Sequence, residues 1–117
     1  MALGRSIDPE IEAFVHETID SFVTWDVIVL FHDWPGFAGD AAAVAKHLGR
    51  NERDVARSLA RLARLGMVRS SLTGRSEVYS FGPDDATSDQ IDRFCSVLDQ
   101  RETRLALLAS LLRKGIS

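Results

Sequence analysis

A mainly α fold with one small β-hairpin, α+β in class, follows from three features of this 117-residue chain. Two short helical segments meet across a turn at Gly49. The second of them, 51–65, carries apolar residues on one face and arginines on the other. Two strand-like runs follow, joined by Thr73-Gly74-Arg75-Ser76. Helix, turn, helix and hairpin in that order is the pattern of a winged helix-turn-helix. The expected organisation is a single domain over 1–117. Its core lies at about 22–82, with an N-terminal helix at 8–21 and a long C-terminal dimerisation helix at 88–114.

Each element has a local cause. Asp8-Pro9-Glu10 is a helix start: a capping aspartate, proline at the first helical position, and acids in the first turn. Ile11, Phe14, Val15, Ile19 and Phe22 follow at three- and four-residue steps, an amphipathic stripe. Phe22–Phe31 is apolar nearly all round, which predicts a buried central helix, although its β-branched residues also suit a strand. Trp34-Pro35-Gly36-Phe37-Ala38-Gly39 reads as a loop. Asp40 caps a short alanine-rich helix, Ala41–Leu48, ended by Gly49. Asn51 caps the next helix, which runs to about Leu65 with Gly66 as its left-handed terminator. Met67–Leu72 and Glu77–Phe81 are the strands of the hairpin. Residues 82–87 read as a linker. In the last helix, Ile91, Leu98, Leu105 and Leu112 recur every seven residues. Phe94 and Leu108 lie on the alternate seam position, with Arg101 between them. A helix this long outgrows its own small domain, so a second subunit is its natural cover.

Bulk composition restricts the function classes. Hydrophobic residues make up 45% and charged residues 26%, ordinary for a globular chain. No apolar run approaches the ~18–20 residues of a membrane span, and the start lacks the apolar core of a secretory signal. The single cysteine, Cys95, cannot form an internal disulfide and fits a reducing compartment, so a cytoplasmic location without a membrane partner is expected. The net charge of −3 is unevenly spread. Residues 1–39 carry one basic and seven acidic groups; residues 40–82 carry eight basic and four acidic; residues 83–117 carry five basic and six acidic. The basic surplus thus falls in the helix-turn-helix and hairpin.

At 100° per residue, Val55, Leu59 and Leu62 form one stripe. Arg53, Arg57, Arg61 and Arg64 fall about 160–240° away from Val55, opposite the core. Arg50 precedes the helix and Arg75 sits at the hairpin tip, with Arg69 on the first strand. Arginine suits phosphate and guanine edges because its planar fork donates in pairs. A solvent face is the simpler use of such arginines, and Glu52, Asp54 and Glu77 close by would repel phosphate.

The string Asp40-Ala-Ala-Ala-Val-Ala-Lys-His-Leu-Gly-Arg-Asn51, with Asp54-Val-Ala-Arg-Ser-Leu-Ala-Arg-Leu-Ala-Arg-Leu-Gly-Met-Val-Arg69, resembles the winged helix-turn-helix core of MarR-like bacterial regulators. Leu62-x-x-Leu65-Gly66-Met67-Val68 is similar to the L-x-x-x-G-L-V close of their recognition helix. The likeness covers about 22–82, and the flanking helices are consistent with that group's dimerisation helices. It implies a DNA-binding transcriptional regulator that is a homodimer through its C-terminal helix. Helix 51–65 would enter the major groove of double-stranded DNA and the wing 67–81 would touch the backbone. Arg50, Asn51, Arg53, Arg57 and Arg61 would face the groove, and Arg75 would tip the wing. The wing departs from the pattern, being short with one basic residue at its tip. The alternative is a winged-helix interaction module that binds an acidic protein partner.

Other chemistry is poorly supported. His16, His32, His47 and Cys95 are widely spaced and lack the paired spacing of metal ligands. Cys95 beside Phe94 on an apolar helix face reads as an inert thiol rather than a redox sensor. No nucleophile elbow or P-loop is present, so no catalytic residue, metal or cofactor is expected. Trp25, Phe31, Trp34 and Phe37 could line a cleft for a small-molecule effector, but aromatics around a loop serve more often as core or dimer contacts.

Overall fold

A computed structural model describes residues 7–116. The start, Met1–Ser6, part of the stretch read as lacking a secretory core, lies outside the described residues, as does Ser117. The order of elements is α1 (Pro9–Thr18), α2 (Phe22–Asp33), β1 (Ala38–Gly39), α3 (Ala41–Leu48), α4 (Glu52–Arg64), β2 (Val68–Thr73), β3 (Ser76–Phe81), α5 (Asp85–Val97) and α6 (Arg101–Lys114). It is an α+β winged helix, with α3 and α4 as the helix-turn-helix and β2–β3 as the wing.

The capping residues act as the sequence predicts. The Asp8 carboxylate accepts from the Glu10 N–H, Asp40 from the Ala43 N–H, and Asn51 from both the Arg53 and Asp54 N–H groups. That backbone N–H is the main reason the Asp8 carboxyl is held below its ordinary range, with the Arg93 guanidinium adding to it. Gly49 and Gly66 adopt φ 66° and 79°, a left-handed region that closes α3 and α4. Beyond Gly66 the Met67 N–H donates to the Leu62 carbonyl, so the chain turns at once into β2.

Helix α2 is the centre of the molecule. It is a helix and not a strand, and it buries Thr24, Val27, Ile28 and Phe31 while packing against α3, α4 and α5. From α4 come Val55, Leu59 and Leu62, all fully buried as the stripe predicts. Leu59 has no exposed surface, so Leu59→Ala is expected to lower unfolding stability by about 2–5 kcal/mol. Urea denaturation followed by far-UV circular dichroism measures this; a loss under ~1 kcal/mol would mean that the α2–α4 contact is not a tightly packed core.

The structure corrects four boundaries, the first being the N-terminal helix read as 8–21, which ends at Thr18, with Ser21 capping α2. Ala38–Gly39 is a short strand rather than loop: it pairs antiparallel with Tyr79 and Ser80 of β3, giving sheet order β1-β3-β2. Two residues have no periodicity to detect, and only the pairing partner 40 residues away defines them. Asp84, read as linker, instead caps α5 by accepting from the Thr87 N–H, so the helix begins at Asp85. The long C-terminal helix is two helices. Backbone N–H groups of Leu98, Asp99 and Gln100 donate three residues back, to Cys95, Ser96 and Val97, and the helical path ends there. Arg104 caps the exposed end of α5 by donating to the Leu98 carbonyl at 2.9 Å.

The break explains the arginine in the heptad seam. A continuous helix would put Arg101 on the apolar stripe between Phe94 and Leu108; after the turn Arg101 is exposed. The seam divides accordingly. Ile91 and Phe94 are buried in the domain, Phe94 packing edge-on to Trp25 at 5.2 Å between ring centroids. Helix α6 instead buries Thr103, Leu107, Ser110 and Leu111, and leaves Leu105 and Leu112 exposed at 51% and 61%.

Candidate nucleic-acid interface

The outer face of α4 is basic, but its arginines are not equivalent. Val55, Leu59 and Leu62 hold the inner face against α2, and the rest of the helix must point away. Arg53, Arg57 and Arg64 are exposed. Arg57 is 72% exposed and stands 3.8 Å from Asp54, a loose i,i+3 contact that water screens. The side chains of Arg53, Arg64 and Arg75 have no hydrogen-bond or ion-pair partner among the described residues. Asn51 uses its side-chain oxygen as the cap, which leaves its NH2 group as its remaining donor.

Two predicted groove residues are engaged elsewhere. Arg50 donates from Nε to Asp26 of α2 at 2.6 Å. Arg61 turns back to α1: its Nη2 donates to the Glu17 carbonyl at 2.8 Å, its Nη1 to the Thr18 carbonyl, and its Nε lies 3.7 Å from Asp20. At 26% exposure the Arg61 side chain is half-buried against the α1–α2 corner. The wheel put it at the edge of the arginine arc, where the α1–α2 corner meets α4. Sequence could not show this, because the partners lie 43 and 44 residues away. Beside it, Ser58 and Thr24 share a buried hydroxyl contact of 2.8 Å, and Thr24 donates to Asp20 at 2.6 Å. None of Asp26, Ser58 and Thr24 carries a local signal; they matter only through these contacts.

The wing is a two-residue hairpin. Thr73 pairs with Ser76, and Gly74 (φ 64°) and Arg75 form the turn. A positive φ at the first central position alone is the II′ pattern, which suits glycine followed by any residue. It places Arg75 at the outermost point of the wing, exposed. Arg69 lies with its stem across Gly82: a Cβ built there would stand 2.6–2.7 Å from Arg69 Cγ, Cδ and Nε. Tyr79 and the acids Asp40, Glu52 and Glu77 line a shallow cleft of about 240 Å³ between wing and α4. The basic face therefore has acidic margins.

The aromatic residues pack on one another. Trp25 packs on Phe22 and Phe94, Phe31 on Phe37, and Trp34 on Phe37 and His47. Among the described residues no group of three His, Cys, Asp or Glu side chains could hold a metal ion, and no helix is long and apolar enough to cross a membrane. One serine–histidine pair does form, His16 Nε2 with Ser110 Oγ at 2.7 Å. Ser110 is buried and also donates to Glu12 at 3.3 Å, so the carboxylate takes the serine's proton side instead of orienting the imidazole. The pair is a helix–helix contact.

Cys95 is buried, and burial, with Asp33, Asp92 and Asp99 adding to it, pushes its thiol up to about 12. Its ordinary value is 9.0, so the thiol gains a proton-dependent stability that is complete below pH 9 and lost as pH rises toward 12. Native protein at pH 8 is expected to resist Ellman's reagent and to react fully once unfolded in guanidinium. Rapid labelling of the folded chain would show an accessible thiolate instead.

No protein-family model and no curated protein matches the chain. Solved structures do. The Staphylococcus aureus MepR–DNA complex superposes with a TM-score of 0.59 at 14% identity, covering 90% of this chain and 86% of that one. TubR from Bacillus thuringiensis serovar israelensis, bound to 24 bp of tubC, gives 0.53 at 16%, covering 83% and 98%. The homodimeric winged helix-turn-helix DNA-binding domain of Mb0332 from Mycobacterium bovis gives 0.54 at 20%, covering 90% and 94%. These likenesses establish the winged-helix fold over nearly the whole chain.

Proposed function

We propose that this winged-helix chain is a DNA-binding transcriptional regulator that acts as a homodimer. The observation that carries the proposal is the outer face of α4. Arg53, Arg57 and Arg64 are exposed there, with Arg75 at the wing tip, in a chain whose net charge is −3. A protein of negative net charge gains nothing in solubility from concentrating its cations on one helix, whereas a phosphate backbone requires it. Asn51 and Arg53 would meet base edges at the N-terminal end of α4, with Arg57 against a backbone phosphate at the groove wall. Arg75 would meet backbone phosphate, and Arg50 would do so by exchanging Asp26 for a phosphate oxygen. MepR and TubR were each solved with DNA, which supports this use of the fold.

Dimerisation is proposed through α6. Leu105, Ala109 and Leu112 lie at i, i+4 and i+7, on one exposed face of that helix. The stripe beside it, Leu107 and Leu111, is already buried within the domain, so the outer leucines await a second copy. The Mb0332 domain is homodimeric, in keeping with this arrangement.

The test is fluorescence anisotropy with a labelled duplex from upstream of the protein's own gene, against a scrambled duplex, at two salt concentrations. Preferential binding that persists at the higher salt supports a sequence-specific regulator. Absence of binding to both leaves the fold and favours an acidic protein partner on the same arginines. The acidic margins at Glu52, Asp54 and Glu77 are the observation in favour of that second reading.

A further inference from the structure

The C-terminal end of α1 is a junction of cations from two other helices. A helix leaves its last carbonyls without intrahelical partners, and they form its negative end. In α1 the last four are all accepting. Val15 takes the Ile19 N–H at 2.8 Å, His16 takes Lys114 Nζ, and Glu17 and Thr18 take the two Nη groups of Arg61. Lys114 belongs to α6, the helix with the outer leucines. Arg61 belongs to α4, the helix with the outer arginines. Otherwise α1 packs chiefly on α5, and α4 on α2 and α3. One turn before Arg61, Ser58 keys the same side of α4 to Thr24 of α2.

We propose that Arg61 is a positioning residue and not a DNA contact. Through the end of α1 it sets the angle of α4 against α6, and so the separation at which two copies of α4 meet successive major grooves. This rests on the DNA-binding, dimeric reading above and deepens it. Each Nη group of Arg61 donates to a backbone carbonyl and its Nε lies 3.7 Å from Asp20, which ties the guanidinium to the α1–α2 corner, half-buried and turned away from the outer face where Arg53, Arg57 and Arg64 stand exposed. Spacing is sensitive to such an angle, because one base pair shifts a half-site by about 3.4 Å and rotates it by about 34°.

The experiment uses the full chain and a paired-half-site duplex selected by the wild type from a random pool. Companion duplexes have one base pair added or removed between the half-sites. Arg61→Ala is expected to weaken the parent site about tenfold and to flatten the preference for it over its ±1 bp companions by a similar factor. It should leave the slope of log K against log salt unchanged within about 0.3 per copy. Lys114→Gln, which loosens the same junction from α6, should flatten the spacing preference in the same way. Arg57→Ala should do the reverse, lowering the slope by about 0.9 per copy with spacing preference intact. An Arg61→Ala slope loss like that of Arg57→Ala overturns the proposal, as does unchanged spacing preference. If Arg61→Ala does not fold, Arg61→Gln removes the same charge and is judged by the same slope and spacing. A wild type that selects no duplex defeats the DNA-binding reading itself, and this inference with it; selection followed by a failed Arg61 test defeats the inference alone.

Discussion

Arg57→Glu is expected to abolish duplex binding, by at least ~100-fold at about 0.1 M salt, while the fold and the oligomeric state stay as they are. The side chain is 72% exposed, and its one ionic neighbour among the described residues, Asp54, is 3.8 Å away. Replacing a residue with so few contacts changes stability by about 0.5 kcal/mol or less. On the proposed DNA face the effect is large. In a dimer the substitution replaces two cations by two anions against phosphate, next to Glu52 and Asp54, which already repel it. Arg57→Ala separates contact from repulsion, lowering the salt slope by about 1.8 for the two copies. Anisotropy titrations over a salt series, with circular dichroism as the check on folding, measure both. Binding retained by Arg57→Glu would remove α4 from the groove.

The second large effect is expected on the outer face of α6. Leu105→Glu with Leu112→Glu should convert the proposed dimer to a monomer in sedimentation velocity. Both side chains are more than half exposed within the protomer, so the monomer should keep its helical signal. Two glutamates per copy, set face to face in an apolar contact, cannot be buried without a partner cation. Duplex affinity should fall about 10²–10⁴-fold, because the second α4 then binds as a separate molecule and loses its effective concentration. A variant that stays dimeric would move the interface off this face of α6. One that becomes monomeric but keeps its affinity would show that a single α4 and wing suffice.

These two regions differ in how far they are legible from the residues alone. In α4 the local code is complete. The Asn51 cap, the Val55–Leu59–Leu62 stripe and the Gly66 stop specify the helix, its length and its buried face. Arg53 and Arg57 follow by default to the outside. The C-terminal stretch has the same kind of periodicity, yet a seven-residue repeat does not say whether the helix continues through it. Nothing between Val97 and Arg101 is proline or glycine, so the turn there has no breaker to announce it. It forms because Ile91, Phe94, Leu107 and Leu111 all enter the one core, while Arg101 between them does not.

The class, the order of elements as far as the hairpin, the caps at Asp8, Asp40 and Asn51, and the basic surplus of the central segment are therefore written in the residues. All of these depend on residues within about four positions of each other, or on the two periods of a helix and a strand. Folding, and no local pattern, sets which of these arginines are free. Arg50 and Arg61 are chemically like Arg53 and Arg57, but Asp26 and the open carbonyls of Glu17 and Thr18 are brought beside them by folding. It likewise decided that Ala38–Gly39 is a strand and that the last helix is two. A hydrogen bond or a packed side chain is a relation between two places in the chain. Where the places are 24, 43 or 60 residues apart, as at Arg50–Asp26, Arg61–Thr18 and His32–Asp92, no local pattern encodes it.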